Sequence, residues 1–221
     1  MNPVDHRLYV LLDPVAAPRE NLPALAQKAV AGGATLLQYR DKEADGGLMV
    51  ETALAILNAL GKNHPPLLIN DRVDVAYIAK AQGVHLGQSD ITPQDARLLL
   101  GPHAIIGRTI KNMHHAEKLK SEPVDYATCG GVFSTVHKDN PDHPIGLDGF
   151  KALRQFINEY IPRLPVGAIA GIDENNLAQI IAQGADGIAV IGAVLKASHP
   201  EQAAKTLRQA VDLALSARKN H

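Results

Sequence analysis

The residues best equipped for chemistry stand in short polar groups that each follow an apolar run. One group is Gln38-Tyr39-Arg40-Asp41-Lys42. In extended geometry Gln38, Arg40 and Lys42 share one side, so an amide and two cations converge on one ligand. Arg offers a planar donor fork and Lys a point charge, which together suit a phosphate or diphosphate. The alternative is a strand end whose charges stand in water. Asn70-Asp71-Arg72 and Gly87-Gln88-Ser89-Asp90 follow two further runs. Two carboxylates at neighbouring strand ends can hold one Mg²⁺, which takes few protein carboxylates and completes its shell with substrate phosphate oxygens. Taken singly, Asp71 and Asp90 also read as caps of the next helix and turn.

Further along, Thr109 brings a hydroxyl able to donate to a phosphate oxygen. The stretch Phe133-Ser134-Thr135-Val136-His137-Lys138-Asp139-Asn140-Pro141 is long and polar for a connection, a feature of functional or disordered loops. Lys138 would add a cation over a bound diphosphate, and the loop would close the site to water. Gly171 and Gly192 follow two later runs, where backbone N–H groups form phosphate sites and glycine permits close approach. Other candidates are weaker. His114 and His115 are adjacent on a helix and point apart. His137 and His143 lack the partners of a zinc site, and Cys129 reads as a small buried residue.

These groups need a frame. Apolar runs alternate with amphipathic stretches: Leu8–Leu12, Ala34–Tyr39, Leu67–Ile69, Gly83–Leu86, His103–Ile106, Val124–Thr128, Val166–Ile169 and Gly187–Ile191 read as strands. Helices are expected near 20–31, 48–60, 73–79, from 92, over 113–119, from 147, over 174–182 and over 201–217. Three junctions look alike, Ala31-Gly32-Gly33-Ala34, Ala81-Gln82-Gly83-Val84 and Ala182-Gln183-Gly184-Ala185, and read as a recurrent helix stop. Eight β-then-α units predict an α/β fold, a single (β/α)8 TIM barrel over residues 1–221 with flexible ends at 1–6 and 218–221. The doubly wound alternative lacks its glycine-rich turn after the first strand.

In such a barrel the active site lies at the C-terminal ends of the strands, where the polar groups fall. Twenty-two Lys and Arg against 23 Asp and Glu argue against nucleic-acid binding, and small-molecule substrates are expected instead. One cysteine, no apolar run of membrane-spanning length and no signal pattern predict a cytoplasmic protein.

Gln38-Tyr39-Arg40-Asp41-Lys42, Ile69-Asn70-Asp71-Arg72-Val73-Asp74, Gly83-Val84-His85-Leu86-Gly87-Gln88-Ser89-Asp90, Val132-Phe133 with Lys138, and Gly184-Ala185-Asp186-Gly187 stand in the order seen in the thiamine-phosphate synthase family, which the chain resembles from Leu8 to about Lys196. The resemblance implies a transferase that joins hydroxymethylpyrimidine diphosphate to thiazole phosphate with Mg²⁺, giving thiamine phosphate and pyrophosphate by a dissociative substitution. Gln38, Arg40, Lys42, Asn70, Thr109 and Lys138 would then bind the pyrimidine diphosphate, with Arg40, Lys42 and Lys138 stabilising the leaving group. Asp71 and Asp90 would hold Mg²⁺, and Thr135, His137, Gly171, Ile191 and Gly192 would lie on the thiazole-phosphate side. The chain departs from the family pattern at Thr109 for Ser, Val136-His137 for Pro-Thr, Gly192 for Ser and Ala170 for Gly; all but Thr109 fall on that side. The resemblance also allows a homo-oligomer, dimer or trimer.

Two neighbouring readings compete with it. A thiazole tautomerase relative would carry a histidine where Gly131 stands and lose Asp90. A non-catalytic binder of a thiamine precursor would keep the same ligand residues.

Overall fold

The structure is a computed structural model that describes residues 4–133 and 144–219. Eight parallel strands close on themselves in sequence order: β1 (Leu8–Leu12), β2 (Leu36–Tyr39), β3 (Leu67–Asn70), β4 (Gly83–Leu86), β5 (Ile105–Ile110), β6 (Tyr126–Cys129), β7 (Val166–Ile169) and β8 (Gly187–Val190), which returns to β1. Around them lie helices α1 (Leu22–Ala31), α2 (Gly46–Leu60), α3 (Val73–Ala79), α4 (Pro93–Leu100), α5 (Met113–Lys118), α6 (Gly146–Tyr160), α7 (Leu177–Ala182), the short α8 (Gly192–Leu195) and α9 (Pro200–Lys219). The expected (β/α)8 barrel is what forms.

Its strands are apolar because both faces are covered, outward by helices and inward by the barrel's own side chains. The side chains that start helices match their sequence signals. Thr92 caps α4 by accepting from the Asp95 N–H, with Pro93 in the first turn, and Asp45 caps α2 by accepting from Leu48.

A fourfold device ties the strand entrances. Thr35 Oγ1, Gln82 Oε1 and one oxygen each of Asp125 and Asp186 precede β2, β4, β6 and β8. They accept from the N–H groups of Leu8, Leu67, Ile106 and Val166, at the entrances of β1, β3, β5 and β7. Each would otherwise be an unpaired amide at the barrel floor. The look-alike junctions read from the sequence fall at three of these four places.

Some expected boundaries move. β5 runs to Ile110, beyond the apolar His103–Ile106, because Gly107 and Arg108 pair with Tyr126 and Ala127 of β6. The outward Arg108 meets Glu122 at 3.2 Å in an almost buried ion pair, so a charge hides inside a strand. α7 begins only at Leu177, since an Asp173–Asn176 side-chain turn occupies the residues before it. Two residues expected in the flexible ends, His6 and Arg218, are held by contacts. His6 is buried against the rings of Tyr9 and Tyr126, and Arg218 donates to the carbonyls of Ile181 and Ala185.

Candidate functional site

The polar groups that follow β1 to β4 meet at the C-terminal rim. β2 stops at Tyr39, so Arg40 and Lys42 leave the strand instead of continuing its alternation. Arg40 reaches one way, 2.5 Å from the buried carboxylate of Asp13 at the end of β1. Lys42 reaches the other way and pairs with Asp71 at the end of β3. The expectation that Gln38, Arg40 and Lys42 lie along one extended side is therefore corrected. Gln38 points into the barrel and donates to Tyr9 Oη, while the two cations flank the rim, each on its own carboxylate.

Asp41, between them, shapes this loop. Its carboxylate accepts from the Glu43 and Ala44 N–H groups, from Tyr39 and from Arg19. Burial alone would raise its pKa, but these donors outweigh it and hold the carboxyl below its ordinary range.

Asp71 departs from ordinary backbone geometry with φ +61°, and its N–H is fixed on the His85 carbonyl at 2.9 Å. This left-handed turn aims its carboxylate at Lys42 and at Asp90. Asp90 in turn accepts from the Gly87 N–H at 2.6 Å, and the Gly87 carbonyl accepts from Arg108 at 2.5 Å. The two carboxylates are close enough to share a hydrogen bond. Burial and then that neighbour push the pKa of Asp71 up, despite the ammonium of Lys42 beside it. One ammonium does not balance the pair. Two adjacent hard-oxygen donors with an unmet demand for positive charge fit a divalent cation such as Mg²⁺.

Asn70, the last residue of β3, is nearly buried beside this pair. Thr109 sits near the end of β5 with its Oγ1 2.7 Å from His85 Nε2. Across the rim, Gly171 follows β7 at φ +65°, after Ala170 at φ +89°. Ile191 and Gly192 follow β8 and begin α8. Thr135, His137 and Lys138 lie outside the described residues. The chain on either side of them is clasped, however: Ile145 and Gly146 donate to the Gly131 and Val132 carbonyls, and Val132 and Phe133 donate to the end of β7. Phe133 and Ile145, on either side of them, thus both stand at the rim.

Sequence reading missed Asp13 and Arg108. The first looked like a strand stop before Pro14; the second had no signal apart from a carboxylate fourteen residues away. It also missed the polar interior formed by Tyr9 and Tyr126, whose phenols stand inside apolar runs. Cys129 is buried as expected, and burial pushes its thiol up to about 12, which removes it as a nucleophile. Among the described residues, no three His, Cys, Asp or Glu gather into a metal-binding group. A cavity of about 900 Å³ lies at the opposite, N-terminal end of the barrel, around Thr35, Pro66, Ile105 and Pro165, and contains none of the candidate residues.

Fold and rim together define a (β/α)8 barrel protein whose polar groups, cations set against carboxylates, face outward from the C-terminal ends of the strands. Residues 8–194 match the family model described as thiamine monophosphate synthase, and the chain belongs to that family. It is 51% identical over 218 residues to the thiamine-phosphate synthase of Agrobacterium fabrum, covering 99% of each chain. It is 39% identical to that of Azorhizobium caulinodans, over 96% of this chain and 97% of the relative. The solved thiamine phosphate pyrophosphorylase of Pyrococcus furiosus superposes with a TM-score of 0.83 at 31% identity, over 96% of this chain and 98% of that one.

Proposed function

We propose that the protein is a thiamine-phosphate synthase, a transferase that condenses hydroxymethylpyrimidine diphosphate with thiazole phosphate to give thiamine phosphate and pyrophosphate. The observation that carries this reading is the Asp71–Asp90 carboxylate pair with Lys42 on it and Arg40 nearby, in a chain half identical along its length to a synthase.

In this reading Asp71 and Asp90 would hold Mg²⁺. The ion, when bound, supplies positive charge against the oxygens of the leaving group. Lys42 and Arg40 add charge from the protein side, and the family pattern assigns Lys138 to the same task. The Thr109 hydroxyl donates to a phosphate oxygen, and Asn70 and Gln38 orient the pyrimidine. Charge grows on pyrophosphate as its bond to the pyrimidine methylene breaks, and the thiazole nitrogen then forms the new C–N bond to that carbon. No general acid or base is required of the protein. Its contribution is placement and electrostatic stabilisation, with the second substrate and the loop keeping water out.

Gly171, Ile191 and Gly192 surround the thiazole phosphate through backbone groups, and the family pattern assigns Thr135 and His137 to the same substrate. The substrates are small molecules, with no nucleic acid or membrane involved. No described helix is long and apolar enough to cross a membrane. A lone buried cysteine accords with a reducing, cytoplasmic setting.

The tautomerase alternative is disfavoured by Asp90, which is present and bonded into the carboxylate pair. The test is incubation of the purified protein with both phosphorylated precursors. Thiamine phosphate and pyrophosphate released in equal amounts support the synthase. Binding of the diphosphate without turnover would instead make the protein a precursor binder.

A further inference from the structure

Below the rim, the barrel interior is crossed by a continuous line of polar side chains, buried except at its Thr109 end. Gln38 Nε2 donates to Tyr9 Oη. Tyr9 Oη lies 2.9 Å from Tyr126 Oη, which lies 2.8 Å from His85 Nδ1. His85 Nε2 then reaches Thr109 Oγ1 at 2.7 Å. Five strands, β2, β1, β6, β4 and β5, each contribute one member. Gln38, Tyr9 and Tyr126 are inaccessible to solvent, and His85 is nearly so. The line exists because position 107 is glycine: a Cβ there would fall on the Tyr126 ring. Its two ends, Gln38 and Thr109, are both among the groups that the reading above places on the substrate. At one of them, Gln38 Oε1 is buried and accepts no hydrogen bond from any described residue.

Burial keeps both phenols protonated, raising their pKa values well above the ordinary tyrosine range. Each hydroxyl therefore has one hydrogen to give, and with a neutral His85 and every hydrogen used within the line, the line runs in a single direction. In one direction Gln38 N–H gives to Tyr9, Tyr9 to Tyr126, Tyr126 to Nδ1 of a neutral His85, and His85 Nε2–H to Thr109. That leaves Gln38 with a carbonyl oxygen for the ligand and Thr109 with a hydroxyl hydrogen for the ligand. In the other direction every bond reverses. Gln38 then offers an NH₂ group, and Thr109 only lone pairs, which a phosphate oxygen repels.

We propose that Tyr9, Tyr126 and His85 are positioning residues that set the first direction, so that Gln38 presents an acceptor to the amino-bearing heterocycle while Thr109 presents a donor to the diphosphate. The proposal rests on the synthase reading for what lies at either end. The direction of the line is a property of the protein alone. One buried chain thus couples the recognition of the two halves of a single substrate, and a change in its middle is felt at both ends.

Ring ¹⁵N NMR of the unliganded protein at neutral pH tests the direction, with the His85 signals assigned by their loss in His85→Asn. Hydrogen on Nε2 with a bare Nδ1 is the expected tautomer. Hydrogen on Nδ1, or on both nitrogens, overturns the proposal whatever the enzyme does. Kinetics tests the consequence. Tyr126→Phe removes the donor to His85, and KM for the pyrimidine diphosphate is expected to rise about tenfold, the worth of one buried hydrogen bond, while KM for thiazole phosphate holds. Equal rises in both, or no rise in either, overturns it; if Tyr126→Phe does not fold, Tyr9→Phe makes the same comparison. A wild-type protein that makes no thiamine phosphate would refute the synthase reading instead, and the tautomer would still decide the direction of the line.

Discussion

Asp71 is held in a state that folding alone does not favour. Burial and the neighbouring Asp90 raise its pKa, so its ionised form is disfavoured in the folded chain, and stability declines as pH rises through that raised value. Replacing it with Asn, the side chain that best tolerates φ +61°, keeps the turn. Asp71→Asn is expected to unfold at the same temperature as wild type, or higher, in chelator at pH 7. Its thiamine phosphate turnover should fall by at least about a hundredfold, the loss of a few kcal/mol of transition-state stabilisation. Thermal unfolding and rate assays on the same preparation check both halves. His6 carries the opposite pH signature. Burial lowers its pKa from 6.5 to about 3, so it stays neutral in the folded barrel while the unfolded chain takes up a proton first. Stability should therefore be full above about pH 6.5 and fall steadily toward pH 3, and the slope should flatten in His6→Leu; urea unfolding across that range measures it. Which charges gather at the rim was legible at this scale, because Arg40, Lys42, Asp71 and Asp90 are unusual residues after apolar runs. Their pairing was not, since Arg40 finds Asp13 and Lys42 finds Asp71 only through closure of the barrel.

At the scale of elements, the floor of the barrel shows how strand and helix ends are fastened. Asp125 accepts from the Ile106 N–H at 2.8 Å and from Arg97 at 2.7 Å, joining the entrances of β5 and β6 to α4. Asp125→Ala would leave a partly buried amide and a guanidinium without their acceptor. A loss of about 2–3 kcal/mol in unfolding free energy is expected, with turnover little changed because the rim is at the other end. Denaturant titration checks the first value and the assay the second. Strands 4 and 7 were readable at their observed bounds, since each is a short apolar run closed by a polar group or glycine. The extension of β5 was not, because Gly107-Arg108-Thr109 lacks an apolar pattern, and Arg108 is admitted only by its buried partner Glu122. Nor was α8, four residues long and too short for any periodicity to register.

For the molecule as a whole, the closed order of eight parallel strands turns residues far apart in sequence into one rim, with Asp13, Arg40, Lys42, Asp71 and Asp90 arriving from four successive strand ends. The alternation of runs made the barrel legible, and the barrel in turn made legible that the polar groups share one rim. What remained hidden was the interior, where five polar side chains lie in or at the ends of otherwise apolar strands and form a line that only the closed sheet assembles. The central claim is that the Asp71–Asp90 pair serves a metal-bound diphosphate. Its most direct test is the rate of thiamine phosphate formation titrated with Mg²⁺, for wild type, Asp71→Asn and Asp90→Asn. Wild type should be inactive in excess chelator and saturate with Mg²⁺, while both variants remain near background at concentrations that saturate wild type. Product formation in chelator, or variants that follow the wild-type curve, would contradict the claim.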